Sequence, residues 1–189
     1  MRHAGFVLVG GNSTRMGRDK ALLDYRGRPL AAHVAETVRE AAGSVRLIGP
    51  PERYAGLGYE VIPDIEPGCG PLGGIRTALT VSEAEWNLVV ACDMPSLSSE
   101  FLRGLLVEAE QSEGDALMPS SPAGLAEPLC AVYRRNCLSA VEAALRDGRR
   151  KTSDGFRGMR LIRRDTPVAT WFENMNTPEE WDGHLKTHG

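Results

Sequence analysis

At 189 residues the chain is long enough to enclose a substantial apolar core and short for two full domains, so one domain spanning residues 1–189 is expected. Hydrophobic residues at 42% and charged residues at 25% are an ordinary globular balance, which excludes disorder, collagen-like repeats and coiled coil. A formal net charge of -3 argues against a protein that coats nucleic acid, although Arg149, Arg150 and Lys151 form a local basic cluster.

Short runs rich in Val, Ile and Leu alternate with segments of helical period, the pattern of an α/β domain with a mostly parallel sheet. The first strand is expected at Gly5–Val9. Its apolar run meets Gly10 and Gly11 at once, too short for a signal peptide or a membrane span, so a cytoplasmic chain with no membrane partner is expected. Pro29 opens a helix with Leu30, Val34, Val38 and Ala41 at helical spacing, and Gly43 stands where it should stop. Strands follow at Val45–Ile48 and Tyr59–Ile62, then a helix after Pro71 and a strand at Asn87–Ala91. Ser99 to Gln111 carries Phe101, Leu102, Leu105 and Leu106 on one helical side. Strands at Ala116–Met118 and Leu129–Tyr133 precede a helix from Asn136 to Arg146, and Thr177-Pro178-Glu179-Glu180 reads as a capping box opening a last helix. The stretches Pro119 to Pro128 and Gly148 to Gly158 look irregular and suit loops that cover a site.

Cys69, Cys92, Cys130 and Cys137 form no C-x-x-C pair and have no zinc-type His spacing, so they read as buried or idle thiols. His3, His33, His184 and His188 fall in no motif and read as surface or packing residues.

The strongest chemical signal is the loop Leu8-Val9-Gly10-Gly11-Asn12-Ser13-Thr14-Arg15-Met16-Gly17-Arg18-Asp19-Lys20, which follows the first strand. It contains neither the Gly-Lys-Ser/Thr of a Walker loop nor G-x-G-x-x-G. Its glycines let backbone N–H groups approach phosphates, and Arg15 and Lys20 can neutralise them; by residue type alone it is equally a surface turn with solvated charges. Asp93 lies just past a strand, where α/β folds place ligands, and suits a metal ligand or a turn cap. Gly70 to Gly74 suits either a tight turn or a phosphate-facing helix start. Asn174 and Asn176 are turn or cap residues by type, yet two apart on an extended segment they would share one side.

The complete loop resembles the signature of the MobA-like nucleotidyltransferases that include the molybdenum cofactor guanylyltransferases, with its Gly-Gly, Arg-Met-Gly and Asp-Lys elements. The resemblance continues through Asp64, Gly70-Pro71-Leu72-Gly73-Gly74, Cys92-Asp93-Met94-Pro95, Glu127-Pro128 and Asn174-Met175-Asn176-Thr177-Pro178, in the family's order along nearly the whole chain. It implies a single-domain, Rossmann-like nucleotidyltransferase fold. It further implies nucleotide binding by Leu8, Val9, Gly10, Gly11, Lys20, Asp64 and Asp93, with Asp64 on guanine or its ribose. Asp93 would hold Mg²⁺, and Arg15, Lys20 and Asp93 would be catalytic. Gly73, Asn174 and Asn176 would meet molybdopterin.

The implied reaction is attack of the terminal phosphate of molybdopterin on the α-phosphorus of GTP, giving molybdopterin guanine dinucleotide and pyrophosphate. A phosphate nucleophile is already anionic, so alignment and charge neutralisation would do most of the catalysis without a strong general base. Cofactor-insertion proteins and molybdoenzymes are the protein partners that the resemblance implies. Rival readings are a cytidylyltransferase on the same cofactor, whose family more often has Ala-Ala-Gly where this chain has Val9-Gly10-Gly11, a nucleotidyltransferase for another small phosphate, and an idle GTP- or cofactor-binding protein. The chain departs from the guanylyltransferase pattern at Gly49-Pro50-Pro51, where an Asn often meets the nucleotide.

Overall fold

The computed structural model describes residues 2–10, 18–122, 124–166, 168–172, 181 and 183. Strand β1 (His3–Leu8) leads through a 3-10 turn (Lys20–Leu22) to a two-stranded hairpin, β2 (Asp24–Tyr25) and β3 (Arg28–Pro29). Arg26 at φ 55 and Gly27 at φ 81 form its tip, the double left-handed geometry of a tight hairpin turn. Helix α1 (Leu30–Ala42) ends at Gly43, whose φ of 78 is accessible to glycine and whose N–H bonds the Arg39 carbonyl.

Then come β4 (Arg46–Ile48), the short α2 (Pro51–Tyr54), β5 (Val61–Ile62), α3 (Gly70–Val81) and β6 (Trp86–Ala91). The second half runs α4 (Ser99–Gln111), β7 (Ala116–Ser120), β8 (Cys130–Arg134), α5 (Cys137–Arg146) and β9 (Leu161–Asp165). Helix α4 starts where Ser98 accepts the Phe101 N–H at 3.1 Å.

The seven-stranded sheet has the order β5-β4-β1-β6-β8-β7-β9. Its pairs are parallel except on the two flanks of β8, which runs antiparallel to β6 and β7. Every residue of β6 is buried, as expected for a strand covered on both faces. Alternate side chains serve opposite layers: Val7, Leu47, Leu88, Val90 and Val132 pack under α1 and α4, whereas Phe6, Ile48, Val89, Ala131 and Tyr133 pack under α3 and α5. Among the described residues, no helix is long and apolar enough to cross a membrane.

The expected strands and helices within the described residues all form, with ends displaced by a few residues. Additions are the β2–β3 hairpin, α2 and β9. Strand β9 (Leu-Ile-Arg-Arg-Asp) is an edge strand exposed on alternate residues, so it has no apolar run to reveal it. The stretch Pro119 to Pro128 is partly ordered as strand, since Pro119 and Ser120 belong to β7 and Ser120 bridges Ala126. The stretch Gly148 to Gly158 contains a 3-10 helix (Thr152–Phe156) fixed by buried Gly155 and Phe156. The helix expected from Thr177 lies outside the described residues apart from Trp181 and Gly183.

Candidate active site

A cleft of about 1080 Å³ opens where β1, β4, β5 and β6 end and β8 begins. This is the edge at which α/β sheets present loops to ligands. The floor is the end of β1: Val9 N–H donates to the Ile48 carbonyl at 2.9 Å, and Cys92 N–H donates to the Leu8 carbonyl at 3.2 Å. These bonds fix Leu8, Val9 and Gly10 in the wall. Gly10 has φ +97, and a Cβ there would stand 2.8 Å from Pro50 Cδ. Glycine is therefore required twice over at Gly10, by backbone angle and by space. The Gly49-Pro50-Pro51 segment, a departure in the sequence, packs against Val9 and Gly10.

Lys20 stands on the first residue of the 3-10 turn after β1. Asp19 caps that turn, accepting Ala21 N–H on Oδ1 at 3.1 Å and Tyr54 Oη–H on Oδ2 at 2.7 Å. Lys20 Nζ then lies 3.0 Å from Asp93 Oδ2, with side chains only 13% and 20% exposed. Two groups 73 residues apart thus meet at the sheet edge because β1 and β6 are adjacent parallel strands. Semi-buried opposite charges attract more strongly than exposed ones, since water screens them less.

Asp64 enters from the loop after β5, and its Oδ1 is buried with no hydrogen-bond partner among the described residues. Burial raises its carboxyl above the ordinary range. Opposite it, Glu127 lines the cleft ahead of β8 and is raised by the same cause. Cys92 also lines the cleft, but desolvation first and the Asp93 charge second push its thiol up to about 12, so it remains protonated and is no nucleophile.

The first turn of α3 brings Gly70, Pro71 and Gly74 to the wall without a side-chain cap. Its leading N–H groups and helix dipole favour an anion there. Gly73 is in the same turn but is not in the wall; it is buried, and a Cβ would meet Cys69 Cβ at 2.7 Å. Beside this turn the basic loop contributes Arg150 and Lys151 to the lining, with Arg150 Nη1 donating to Cys69 Sγ at 2.6 Å.

Of the residues singled out from sequence, Leu8, Val9, Gly10, Lys20, Asp64 and Asp93 are brought together in this cleft. Gly11, Arg15, Asn174 and Asn176 lie outside the described residues. Asp19, Tyr54, Glu127, Arg150 and Lys151 were not assigned site roles from sequence. The run Arg149-Arg150-Lys151 and the acid preceding Pro128 were the available signals; nothing local in the sequence joins Tyr54 to Asp19. Among the described residues, no group of three or more His, Cys, Asp and Glu could hold a metal by itself. The carboxylates and cations together suit a phosphorylated ligand that brings further oxygens to a shared cation.

A family model for the MobA-like NTP transferase domain matches residues 5–165. A probable molybdenum cofactor guanylyltransferase from Pelotomaculum thermopropionicum is 36% identical, across 95% of this chain and 90% of the relative. The molybdenum cofactor guanylyltransferase of Pseudomonas entomophila is 35% identical, across 80% of this chain and 81% of its own. The crystal structure of molybdopterin-guanine dinucleotide biosynthesis protein A from Archaeoglobus fulgidus matches with a TM-score of 0.82 at 26% identity, covering 97% of each chain.

Proposed function

This chain belongs to the family of MobA-like NTP transferase domains, and we propose that it transfers GMP from GTP to the terminal phosphate of molybdopterin, releasing pyrophosphate. The observation that carries this reading is the Lys20–Asp93 pair, 3.0 Å apart in the cleft beside the anion-favouring start of α3. The names of the relatives support the choice of substrates.

In the reaction a molybdopterin phosphate oxygen forms a bond to the α-phosphorus of GTP, and the bond from that phosphorus to the bridging oxygen of pyrophosphate breaks. The nucleophile arrives as an anion, so no protein base has to remove a proton. Lys20 neutralises charge on the transferring group and the leaving pyrophosphate, while the first turn of α3 donates backbone N–H groups. Arg150 and Lys151 offset repulsion between the two anionic substrates from beside the start of α3. Arg15, Asn174 and Asn176 complete the set by family resemblance, Arg15 on the phosphates and the two asparagines on molybdopterin.

Mg²⁺ fits the donor set. Asp93 offers one carboxylate, and this ion is held by one or two carboxylates together with phosphate oxygens and water. When bound it would polarise the phosphoryl oxygens and neutralise charge as the leaving group departs. Asp64 accepts from guanine or its ribose, supported by its buried Oδ1, which has no partner among the described residues.

The test is to incubate the protein with molybdopterin, Mg²⁺ and GTP, CTP, ATP or UTP in turn, measuring pyrophosphate and dinucleotide. Turnover confined to GTP supports the assignment. Turnover with CTP keeps the chemistry and overturns the base preference; none with any nucleotide overturns the activity.

A further inference from the structure

The side-chain carboxylates of Asp64 and Glu127 form no hydrogen bond or ion pair with a described residue, although both residues line the cleft. Leaving a carboxylate in a partly desolvated wall without a donor is costly, and such groups are characteristic of ligand sites. Their places in the fold are complementary. Asp64 follows β5 and Glu127 precedes β8, four positions away in the order β5-β4-β1-β6-β8. At the usual strand separation those strands are about 19 Å apart. Asp93 stands just past β6, which lies between them in that order, and meets Lys20 of the turn after β1.

The proposed product has the same arrangement: two heterocycles at opposite ends of a chain with the new diphosphate between. Guanine presents a ring N–H beside an exocyclic amino group. The pterin ring carries that same amino-lactam edge. An ionised carboxylate offers only acceptors and matches two adjacent donors. The Glu127 backbone is held on both sides, its N–H donating to the Pro119 carbonyl at 2.9 Å and its carbonyl accepting Cys130 N–H at 3.1 Å. The next carbonyl, that of Pro128, accepts from buried Tyr133 Oη at 2.5 Å.

We propose that Glu127 is the acceptor for the N–H edge of the pterin, the acceptor-side counterpart of Asp64 at guanine. This rests on the guanylyltransferase reading of the cleft. A pterin in this place satisfies a carboxylate that has no partner among the described residues, whereas a phosphorylated acceptor without paired donors leaves it unsatisfied, which gives selectivity.

The deciding experiment titrates wild type and Glu127→Gln with molybdopterin, followed by pterin fluorescence without nucleotide, beside steady-state kinetics with GTP. Glutamine preserves the length but turns an amide N–H₂ toward a donor. Weakening of molybdopterin binding by roughly tenfold or more, with the KM for GTP held within about twofold, is expected for a lost charged hydrogen-bond pair. Wild-type affinity should fall more steeply on acidification than that of E127Q, whose remaining pH dependence is that of the ligand phosphate. Glu127→Asp should recover part of the loss because it restores the charge.

Equal affinities for wild type and E127Q, or a loss shared equally by GTP, overturn the proposal. If the wild type binds molybdopterin but transfers no guanylyl group, the proposed reaction fails, while the titration still decides the role of Glu127.

Discussion

Tyr54 Oη donates to Asp19 Oδ2 at 2.7 Å, while the other oxygen of the same carboxylate caps the turn that begins with Lys20. One carboxylate therefore ties α2 to the segment carrying a principal cation of the cleft. Burial first, then the Asp19 hydrogen bond, raises the Tyr54 phenol, which stays a donor throughout the neutral range. Tyr54→Phe keeps the buried ring and removes the donor, a loss of about 1.5–3 kcal/mol for a bond to a charged acceptor. The expected result is a kcat about tenfold lower with a smaller change in the KM for GTP, because Lys20 loses its fixed position at the transferring phosphate. Steady-state pyrophosphate release and a denaturant titration check both parts; wild-type kcat in this variant would show that the turn holds itself.

Removal of either member of the Lys20–Asp93 pair should affect turnover far more than folding. Lys20→Ala and Asp93→Ala are each expected to lower kcat by at least about two orders of magnitude, the scale of losing an electrostatic stabiliser of the transition state. Asp93→Asn can still accept from Lys20 but lacks the charge for a divalent cation, so it should resemble Asp93→Ala in activity and the wild type in melting temperature. Pyrophosphate release across a Mg²⁺ titration provides the measurement. Near-normal turnover in both alanine variants would remove these residues from catalysis.

The basic loop depends on an aromatic anchor. Phe156 is 3% exposed and stacks on Tyr133 with ring centroids 4.8 Å apart. A Cβ on the neighbouring Gly155 would run into Leu72 of α3. Phe156→Ala should cost about 3–5 kcal/mol through lost burial and the cavity it leaves. Arg150 and Lys151 lose their fixed approach with it, so the KM for the anionic acceptor should rise while that for GTP changes less. Thermal melting and separate KM determinations test this; a stability loss with both KM values unchanged would make the anchor purely structural.

The periodic elements were legible because their residues obey local rules. In β6, Asn87–Ala91 is a nearly continuous apolar run, and Gly43 ends α1 through the backbone angle it can adopt. Lys20 and Asp93 were legible as members of motifs, but their 3.0 Å meeting depends on β1 and β6 being adjacent, a property of the sheet. Three features escaped for physical reasons. The charged edge strand β9 carries no apolar run, the tie from Tyr54 to Asp19 joins residues 35 apart, and Arg150 meets Cys69 from 81 residues away. The Gly49-Pro50-Pro51 departure was visible as a string, whereas its packing against Gly10 required three dimensions.

Asp64 and Glu127 should make the ligand-free protein less stable as their charge develops. Desolvation raises both carboxyls, so the folded state binds protons more tightly than the unfolded chain. By linkage, the associated stability is present in full below the unfolded carboxyl value and is lost as pH rises through the folded value. Above the folded value the penalty is complete. Asp64→Asn should therefore melt above the wild type at neutral pH, with the difference shrinking on acidification into the carboxylate range. The same substitution should raise the KM for GTP, since an amide cannot accept two adjacent donors. Stability gained where binding is lost is the expected trade at a site shaped for its ligand. Melting curves across pH with and without GTP measure both sides, and a lower melting temperature for the ligand-free variant would show that Asp64 has a stabilising partner in solution.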